Sequence, residues 1–172
     1  MLSLAPLLAC LVAIGALSSS GQTFTRITEG SLVNDGGASR SVNWVDVNND
    51  GYCDLFVSNG LEAGEDNFLY INNGPDSNFT FQKVSGDPIV ESRSRSDGSS
   101  WADIDNDGDI DAFVVNWYND DNLMYWNNGN GTFEQELGDI SVNDAGYSET
   151  CCWGDIDNDG DVDLYVTSWE SW

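Results

Sequence analysis

Three nine-residue segments of the sequence share a pattern of acidic residues around a glycine. In the second segment, residues 103–111, aspartate occupies positions 1, 3, 5 and 9, and Gly108 occupies position 6. A glycine there permits a sharp turn, so the neighbouring side chains can surround one cation, with the backbone carbonyl of position 7 as a further ligand. Carboxylate and carbonyl oxygens are the ligands that Ca²⁺ prefers. The segment therefore predicts a calcium-binding loop.

The pattern occurs again in residues 46–54 and 155–163, so the chain has a loop 1 (46–54), a loop 2 (103–111) and a loop 3 (155–163). Loop 1 differs from the others, because Asn48 replaces aspartate at position 3 and Tyr52 stands at position 7. One Ca²⁺ per loop, about three in all, is expected, and the high number of oxygen ligands favours calcium over magnesium. The predicted ligands occupy positions 1, 3, 5, 7 (through the backbone carbonyl) and 9: Asp46, Asn48, Asp50, Tyr52, Asp54, Asp103, Asp105, Asp107, Asp109, Asp111, Asp155, Asp157, Asp159, Asp161 and Asp163.

Two alternative interpretations of the loops agree less well with the sequence. An EF-hand needs a glutamate at position 12, where this chain has Val57, Val114 and Val166. Each loop also leads into residues typical of a strand, whereas an EF-hand loop leads into a helix. The second alternative is an acidic turn that holds no ion. The five aspartates of loop 2 would then repel one another strongly, so a bound metal ion is the better explanation.

The overall composition restricts the classes of partner and reaction. The chain has 30 acidic residues, 5 basic residues and no histidine, which gives a net charge of −25. This charge repels the phosphate backbone of nucleic acids and anionic membrane surfaces, and it attracts cations. The lack of histidine removes the most frequent general base and zinc ligand of enzymes. We therefore predict that the chain is not an enzyme and binds no nucleic acid.

The N-terminus has the composition of a secretory signal peptide. Residues 2–17 are almost wholly apolar, and the small residues 18–21 follow them. The apolar run is shorter than the roughly 20 residues that a transmembrane helix needs. The sequence thus predicts a signal peptide over 1–21, a secreted chain of 22–172 and no transmembrane segment. The alternative, a lipoprotein processed at Cys10, is disfavoured because too short an apolar run precedes the cysteine.

The acidic loops belong to a longer internal repeat. Their first aspartates lie 57 and 52 residues apart, and each copy has short runs rich in Val, Ile, Phe, Tyr and Trp between clusters of Asn, Asp, Gly and Ser. Such runs are typical of β-strands. Each unit is predicted to begin with a strand led by Phe24, Phe81 or Phe133, followed by a strand into the loop, a strand out of it and a tyrosine-containing strand. Four strands per unit predict a β-propeller blade, with a β-solenoid as the alternative.

The repeated motif resembles that of a known family. The signature W-x-D-x-D-x-D-G-x-x-D, followed by two hydrophobic residues and valine, and then N-x-L-Y-x-N-N-G, is similar to FG-GAP/VCBS repeats. These occur in integrin α-chain propellers and in proteins similar to cartilage acidic protein and the ASPIC/UnbV group. The resemblance implies an all-β chain of about two and a half to three propeller blades within 22–172. It also implies a fragment of a seven-bladed propeller, with calcium in the loop of each blade.

Several residues outside the loops carry separate predictions. Cys53 aligns with apolar residues of the other copies and is predicted to be a small buried residue. The adjacent Cys151 and Cys152 lie closer together than a disulfide usually allows, so a bond between them would be strained. Asn78 and Asn130 each begin an N-x-T sequon in the same turn of successive copies, which predicts glycosylation in a eukaryotic secretory pathway.

The repeated tryptophans bear on the choice between two functions. Trp44, Trp101 and Trp153 stand two residues before each loop and are predicted to pack in the core. Trp117 and Trp169 follow the strand that leaves loops 2 and 3, and they are candidates for a binding face. The first function is a non-enzymatic, calcium-stabilised extracellular module for adhesion or recognition of a protein or glycan ligand. The alternative is a lectin-like module, or the accessory propeller of a polysaccharide-active enzyme, in which Trp117 and Trp169 stack on sugar rings.

Overall fold

The computed structural model describes residues 26–143 and 145–169, and the predicted signal peptide lies outside this part of the chain. A single-turn helix, α1 (Ser31–Asn34), and the 3₁₀ turns Pro75–Ser77 and Ile140–Val142 accompany ten strands. None of the described helices is long and apolar enough to cross a membrane. The strands are β1 (Ser39–Val45), β2 (Asp54–Asn59), β3 (Phe68–Asn72), β4 (Phe81–Lys83), β5 (Ser96–Ala102), β6 (Asp111–Asn116), β7 (Leu123–Asn127), β8 (Phe133–Glu136), β9 (Ser148–Gly154) and β10 (Asp163–Ser168).

The strands form three separate antiparallel sheets. Blade 1 has the order β1-β2-β3-β4, blade 2 has the order β5-β6-β7-β8, and β9 pairs with β10 in blade 3. Each acidic loop closes the hairpin of the first two strands of its blade, where Val45 pairs with Asp54 and Ala102 pairs with Asp111. The prediction of an all-β chain with about two and a half blades is confirmed for the described residues.

The phenylalanine-led strand belongs to a different sheet from the one predicted. Strand β4 pairs with β3, with Tyr70 opposite Lys83, so the Phe81 strand is the outer strand of blade 1 and does not begin blade 2. The reason is the short connection between β3 and β4, which is closed by a hydrogen bond from the Asn73 N–H to the Thr80 carbonyl of 2.9 Å. Strand β8, led by Phe133, likewise ends blade 2. The strand predicted at Phe24 begins outside the described residues.

The hydrophobic core lies between the blades, because each sheet presents apolar side chains on the face that meets its neighbour. One cluster joins blades 1 and 2 and includes Phe56 and Tyr125, and a second joins blades 2 and 3 and includes Phe113 and Cys151. Every residue of β6 is buried, since blade 2 is covered on both faces. Tyr165 of β10 holds the position that Phe113 holds in β6, and it is 68 % exposed. Burial along the chain therefore depends on having a blade on each side.

The repeated tryptophans connect one blade to the next. Trp101 packs edge-on against Phe56 of blade 1, with ring centroids 5.2 Å apart, and Trp153 packs in the same way against Phe113 of blade 2 at 6.0 Å. The predicted packing role is confirmed for these two residues. It is wrong for Trp44, which is 60 % exposed. By the same geometry Trp44 faces away from blade 2, and no sheet among the described residues covers that side.

The three described cysteines are all free thiols, so no bond joins Cys151 to Cys152. Cys151 is buried between blades 2 and 3, whereas Cys152 is exposed. The prediction that Cys53 is buried is wrong, because its side chain is exposed. Its equivalent in blade 2, Ile110, packs against the core shared with blade 1. Cys53 lacks such a neighbour for the same reason as Trp44.

Candidate metal centre

The backbone of each acidic loop is held by its own aspartates. In loop 2 the carboxylate of Asp103, at position 1, accepts the N–H groups of Asp107 and Gly108, each at 3.0 Å. Asp105, at position 3, also accepts the N–H of Asp107, and Asp107 accepts the N–H of Asp109 at 2.9 Å. The equivalent bonds recur in loops 1 and 3. These short-range bonds fold the chain around the space that the carboxylate oxygens face.

Two positions of each loop adopt left-handed backbone conformations. Position 6 is a glycine, as the sequence predicted, and Gly108 has a φ of 98°. Position 4 was not singled out from the sequence, although asparagine recurs there in every loop. Asn49, Asn106 and Asn158 have φ values of 57°, 61° and 61°. Asparagine tolerates this conformation better than most residues, so its recurrence was the signal that could have predicted the turn.

Carboxylate oxygens of separate residues converge in loops 2 and 3. Oxygens of Asp103, Asp105 and Asp111 lie within 4.8 Å of one another in loop 2, and those of Asp155, Asp157 and Asp159 do so in loop 3. No group of three acidic oxygens this close is found in loop 1 of the described chain. Position 3 takes part in both groups, and loop 1 has an asparagine there. Each group brings together three of the four predicted carboxylate ligands of its loop, without Asp107 in loop 2 and without Asp163 in loop 3. Such all-oxygen donor sets fit a Ca²⁺ ion.

The aspartate at position 9 ties the loop to the rest of its blade. The Asp111 carboxylate is buried and accepts the N–H of Ile104 at 3.1 Å and the N–H of Asn127 at 2.8 Å. Burial raises the pKa of the Asp111 carboxyl, the backbone hydrogen bonds lower it, and the charges of Asp105 and Asp107 raise it further. A cation beside the carboxylate would favour its ionised form and so oppose the effect of burial.

The same arrangement occurs in loop 1 but only in part in loop 3. Asp54 is buried and accepts the N–H groups of Val47 at 3.0 Å and Asn72 at 2.7 Å, and burial raises the pKa of its carboxyl as well. Asp163 accepts the N–H of Ile156 at 3.0 Å, and its side chain is exposed. The described part of blade 3 has no third strand, so no equivalent of Asn127 is seen.

Position 7 directs its side chain away from its own loop. The carboxylate of Asp109 accepts a hydrogen bond of 2.6 Å from the amide of Asn49 in loop 1. The carboxylate of Asp161 accepts one of 3.0 Å from the amide of Asn106 in loop 2. Tyr52 holds the same position in loop 1, and its ring meets the Phe79 ring edge-on at 6.0 Å. The predicted use of the position 7 carbonyl as a metal ligand stays a prediction.

The two candidate binding-face tryptophans lie at the end of the blades opposite the acidic loops. Trp117 and Trp169 stack on each other, with ring centroids 5.6 Å apart and planes 7° from parallel. Tyr147 meets both rings edge-on, at 5.5 and 6.4 Å. The pair therefore forms one aromatic cluster between blades 2 and 3. Trp117 is half-buried in it, whereas Trp169 remains 66 % exposed.

Both sequons lie at exposed positions on the loop end of the blades. Asn78 belongs to the turn between β3 and β4, and Asn130 belongs to the turn between β7 and β8. The Asn130 side-chain oxygen accepts the Thr132 N–H at 3.0 Å and its hydroxyl at 2.6 Å. The placement of both sequons in one turn of successive repeats is confirmed. Glycosylation of Asn78 and Asn130 stays a prediction.

Comparison with known proteins places these repeats in a family. The model of the FG-GAP-like repeat matches residues 46–114 and 103–166. Each match begins at one acidic loop and ends in the strand that follows the next acidic loop, β6 or β10. A search of curated proteins gives no match. The narrower similarity to cartilage acidic protein and the ASPIC/UnbV group stays a prediction. The two matches together span most of the chain, and it belongs to the FG-GAP-like repeat family.

Proposed function

We propose that this chain is a secreted, calcium-binding β-propeller module that supports extracellular adhesion or protein recognition and has no enzymatic activity. The observation that carries the proposal is the convergence of carboxylate oxygens within 4.8 Å in loops 2 and 3, inside a loop geometry that recurs in all three copies. Without a cation these charges repel one another. With Ca²⁺ bound, the same charges become ligands.

The place of the loops in the fold suggests that the ions are structural. In loop 2, Asp103 follows β5 directly and Asp111 is the first residue of β6. An ion held by both residues would join the two strands at the end of their hairpin. The chain has no histidine to serve as a general base. Export of the module rests on the composition of residues 1–21.

A surface for recognition is available at the opposite end of the blades. Four of the five basic residues of the chain lie there, namely Arg40, Lys83, Arg93 and Arg95. Three of them form ion pairs with acidic side chains, Arg40 with Asp97, Lys83 with Asp35 and Arg95 with Asp120, so this end carries paired charges of both signs. The aromatic cluster around Trp117 lies at the same end as the basic residues.

A second candidate function is carbohydrate binding, which the exposed ring of Trp169 favours. Aromatic rings stack on the apolar faces of sugars, and one face of Trp169 is already covered by Trp117. Binding would therefore use the outer face of Trp169 alone. A glycan-array screen with and without a chelator separates the candidates, because a lectin gives defined glycan hits that Trp169→Ala removes.

Calorimetric titration of the secreted chain with CaCl₂ tests the proposed function. About three ions are expected to bind, one per loop, because each loop offers its own set of oxygen ligands. Asp105→Ala should reduce the stoichiometry by about one ion. Ser100→Ala, outside the loops, is the control and should leave it unchanged. The absence of any heat of calcium binding would refute the calcium proposal.

The three loops are expected to differ in affinity, with loop 1 filling last. Loop 1 offers three carboxylates and the Asn48 amide, whereas loops 2 and 3 each offer four carboxylates at positions 1, 3, 5 and 9. Affinity in such loops rises with ligand charge, although repulsion in the empty loop offsets part of the gain. Asn48→Asp should tighten loop 1, and Asp105→Asn should weaken loop 2 by a similar factor. A site-resolved titration in which loop 1 fills first would contradict this order.

A further inference from the structure

Neighbouring acidic loops are joined by a side-chain hydrogen bond that repeats along the chain. The Asn49 amide at position 4 of loop 1 donates to the Asp109 carboxylate at position 7 of loop 2, at 2.6 Å. The Asn106 amide of loop 2 donates to the Asp161 carboxylate of loop 3, at 3.0 Å. The partners lie 60 and 55 residues apart in sequence. Two bonds between the same pair of positions in successive copies are a property of the repeat.

The loop backbone explains why these side chains reach the adjacent blade. Position 4 is left-handed in all three loops, which turns the asparagine away from its own ring of carboxylates. The position 7 main chain faces its own loop, since the Asp109 N–H bonds the Asp107 carboxylate at 2.9 Å. The Asp109 side chain is left to point outward. Each bond therefore connects a residue whose main chain shapes one loop to a residue whose main chain shapes the next.

A second contact supports the connection between loops 1 and 2. The amide of Asn127, at the end of β7, donates to the carbonyl of Val47 at 2.9 Å and to the carbonyl of Ile110 at 3.0 Å. Val47 is position 2 of loop 1, and Ile110 is position 8 of loop 2. One buried side chain thus holds the backbones of both loops. A change in the shape of one loop reaches the other through two separate contacts.

We infer that Asn49 and Asn106 are positioning residues that couple calcium binding between adjacent loops, an inference that rests on the proposed function. With calcium bound in loop 3, the backbone of Asp161 at position 7 would be held in place, and with it the Asp161 carboxylate. That carboxylate then holds the Asn106 amide and the left-handed turn that shapes loop 2. Occupancy of one loop raises the affinity of its neighbour about fivefold, and the effect is reciprocal because both ions favour the same arrangement.

A thermodynamic cycle on loops 2 and 3 tests the coupling. The amide resonances of Gly51, Gly108 and Gly160, one per loop, report calcium binding at each site in a titration followed by nuclear magnetic resonance. Weakening loop 3 with Asp157→Ala should lower the affinity of loop 2 about fivefold. In the background of Asn106→Gly, which keeps the left-handed turn and removes the amide, Asp157→Ala should leave the affinity of loop 2 unchanged.

Three further variants separate coupling from a local effect on the loop. Asn158→Gly is the matched control, because Asn158 has the same position and conformation and its amide donates no hydrogen bond among the described residues. This variant should change the intrinsic calcium affinity of loop 3 alone and preserve the coupling between loops 2 and 3. Asp161→Asn keeps an acceptor oxygen and should retain the coupling. Asp161→Ala removes the acceptor of the Asn106 amide and should abolish the coupling. Asn106→Gly should have the same effect because it removes the donor of that bond.

The outcomes distinguish this inference from the proposed function. If calcium shifts the glycine resonances but loop 2 binds equally well with and without Asp157→Ala, the coupling is refuted and the calcium sites remain. The coupling is also refuted if it persists in both Asn106→Gly and Asp161→Ala. If no glycine resonance responds to calcium, the proposed function itself fails. The four substituted residues, Asn106, Asp157, Asn158 and Asp161, are all exposed, so the variants are expected to fold.

Discussion

Removal of calcium with EDTA is expected to lower the thermal unfolding midpoint of this chain by roughly 15–30 °C when all three loops are filled beforehand. At free calcium 100 times the dissociation constant, each filled loop adds about 2.7 kcal/mol to the free energy of unfolding. For a chain of this size, each kcal/mol shifts the midpoint by about 2–4 °C. Differential scanning calorimetry in excess CaCl₂ and in EDTA measures the difference directly.

The physical reason for this loss is the repulsion that remains in the empty loops. Oxygens of Asp103, Asp105 and Asp111 lie within 4.8 Å of one another. The chain has only 5 basic residues for its 30 acidic ones, so few basic side chains can neutralise them. Sodium chloride at matched ionic strength is the control, because general screening then contributes equally to both samples. An unfolding midpoint that is the same in EDTA and in calcium would show that the loops do not stabilise the fold through a bound ion.

Replacing Asp111 with alanine is expected to lower the free energy of unfolding by about 3 kcal/mol even when calcium is absent. The substitution leaves the N–H groups of Ile104 and Asn127 without the acceptor that now bonds both of them. Each buried N–H group that loses its partner costs about 1–3 kcal/mol. The cost of burying the carboxylate and its repulsion by Asp105 and Asp107 are both relieved in the variant, and they offset part of this loss. Urea unfolding in EDTA measures the effect apart from metal binding.

Asp163→Ala is the matched control for this prediction, because Asp163 holds the same loop position but is exposed and accepts a single backbone N–H, from Ile156. Asp163→Ala should lower the free energy of unfolding by less than about 1 kcal/mol in EDTA. Asp54→Ala, which removes the acceptor of Val47 and Asn72, should resemble Asp111→Ala. Equal losses for Asp111→Ala and Asp163→Ala would mean that the buried N–H groups are not the source of the effect.

The loops and strands could be predicted from sequence because their signals are local. A nine-residue pattern with glycine at position 6 identified each loop, and short runs rich in aromatic and β-branched residues identified the strands. The position 9 aspartate was predicted as a ligand, but its bond to the next strand was not. Asn127, which donates that bond to Asp111, lies 16 residues further along the chain. No local pattern specifies which backbone N–H a buried carboxylate will accept.

The errors arose where a residue's environment depends on another blade. Trp44 and Trp101 have the same sequence context, but only Trp101 has a phenylalanine of a preceding blade to pack against. The exposure of Cys53 has the same origin. The Phe81 strand was assigned to the wrong sheet because the repeat in the sequence can be divided at any point along its period. Only the pairing of β4 with β3 identifies the boundary between blades.

Burial of every residue of β6, in contrast to the exposed face of β10, means that resistance to unfolding varies along this chain. In arrays of stacked repeats, stability is approximately a sum of terms within each unit and between nearest neighbours. Blade 2 has a described neighbour on each side, so it receives two interface contributions, whereas blades 1 and 3 each receive one from the described residues. Local opening should therefore begin at the outer blades and reach β6 last.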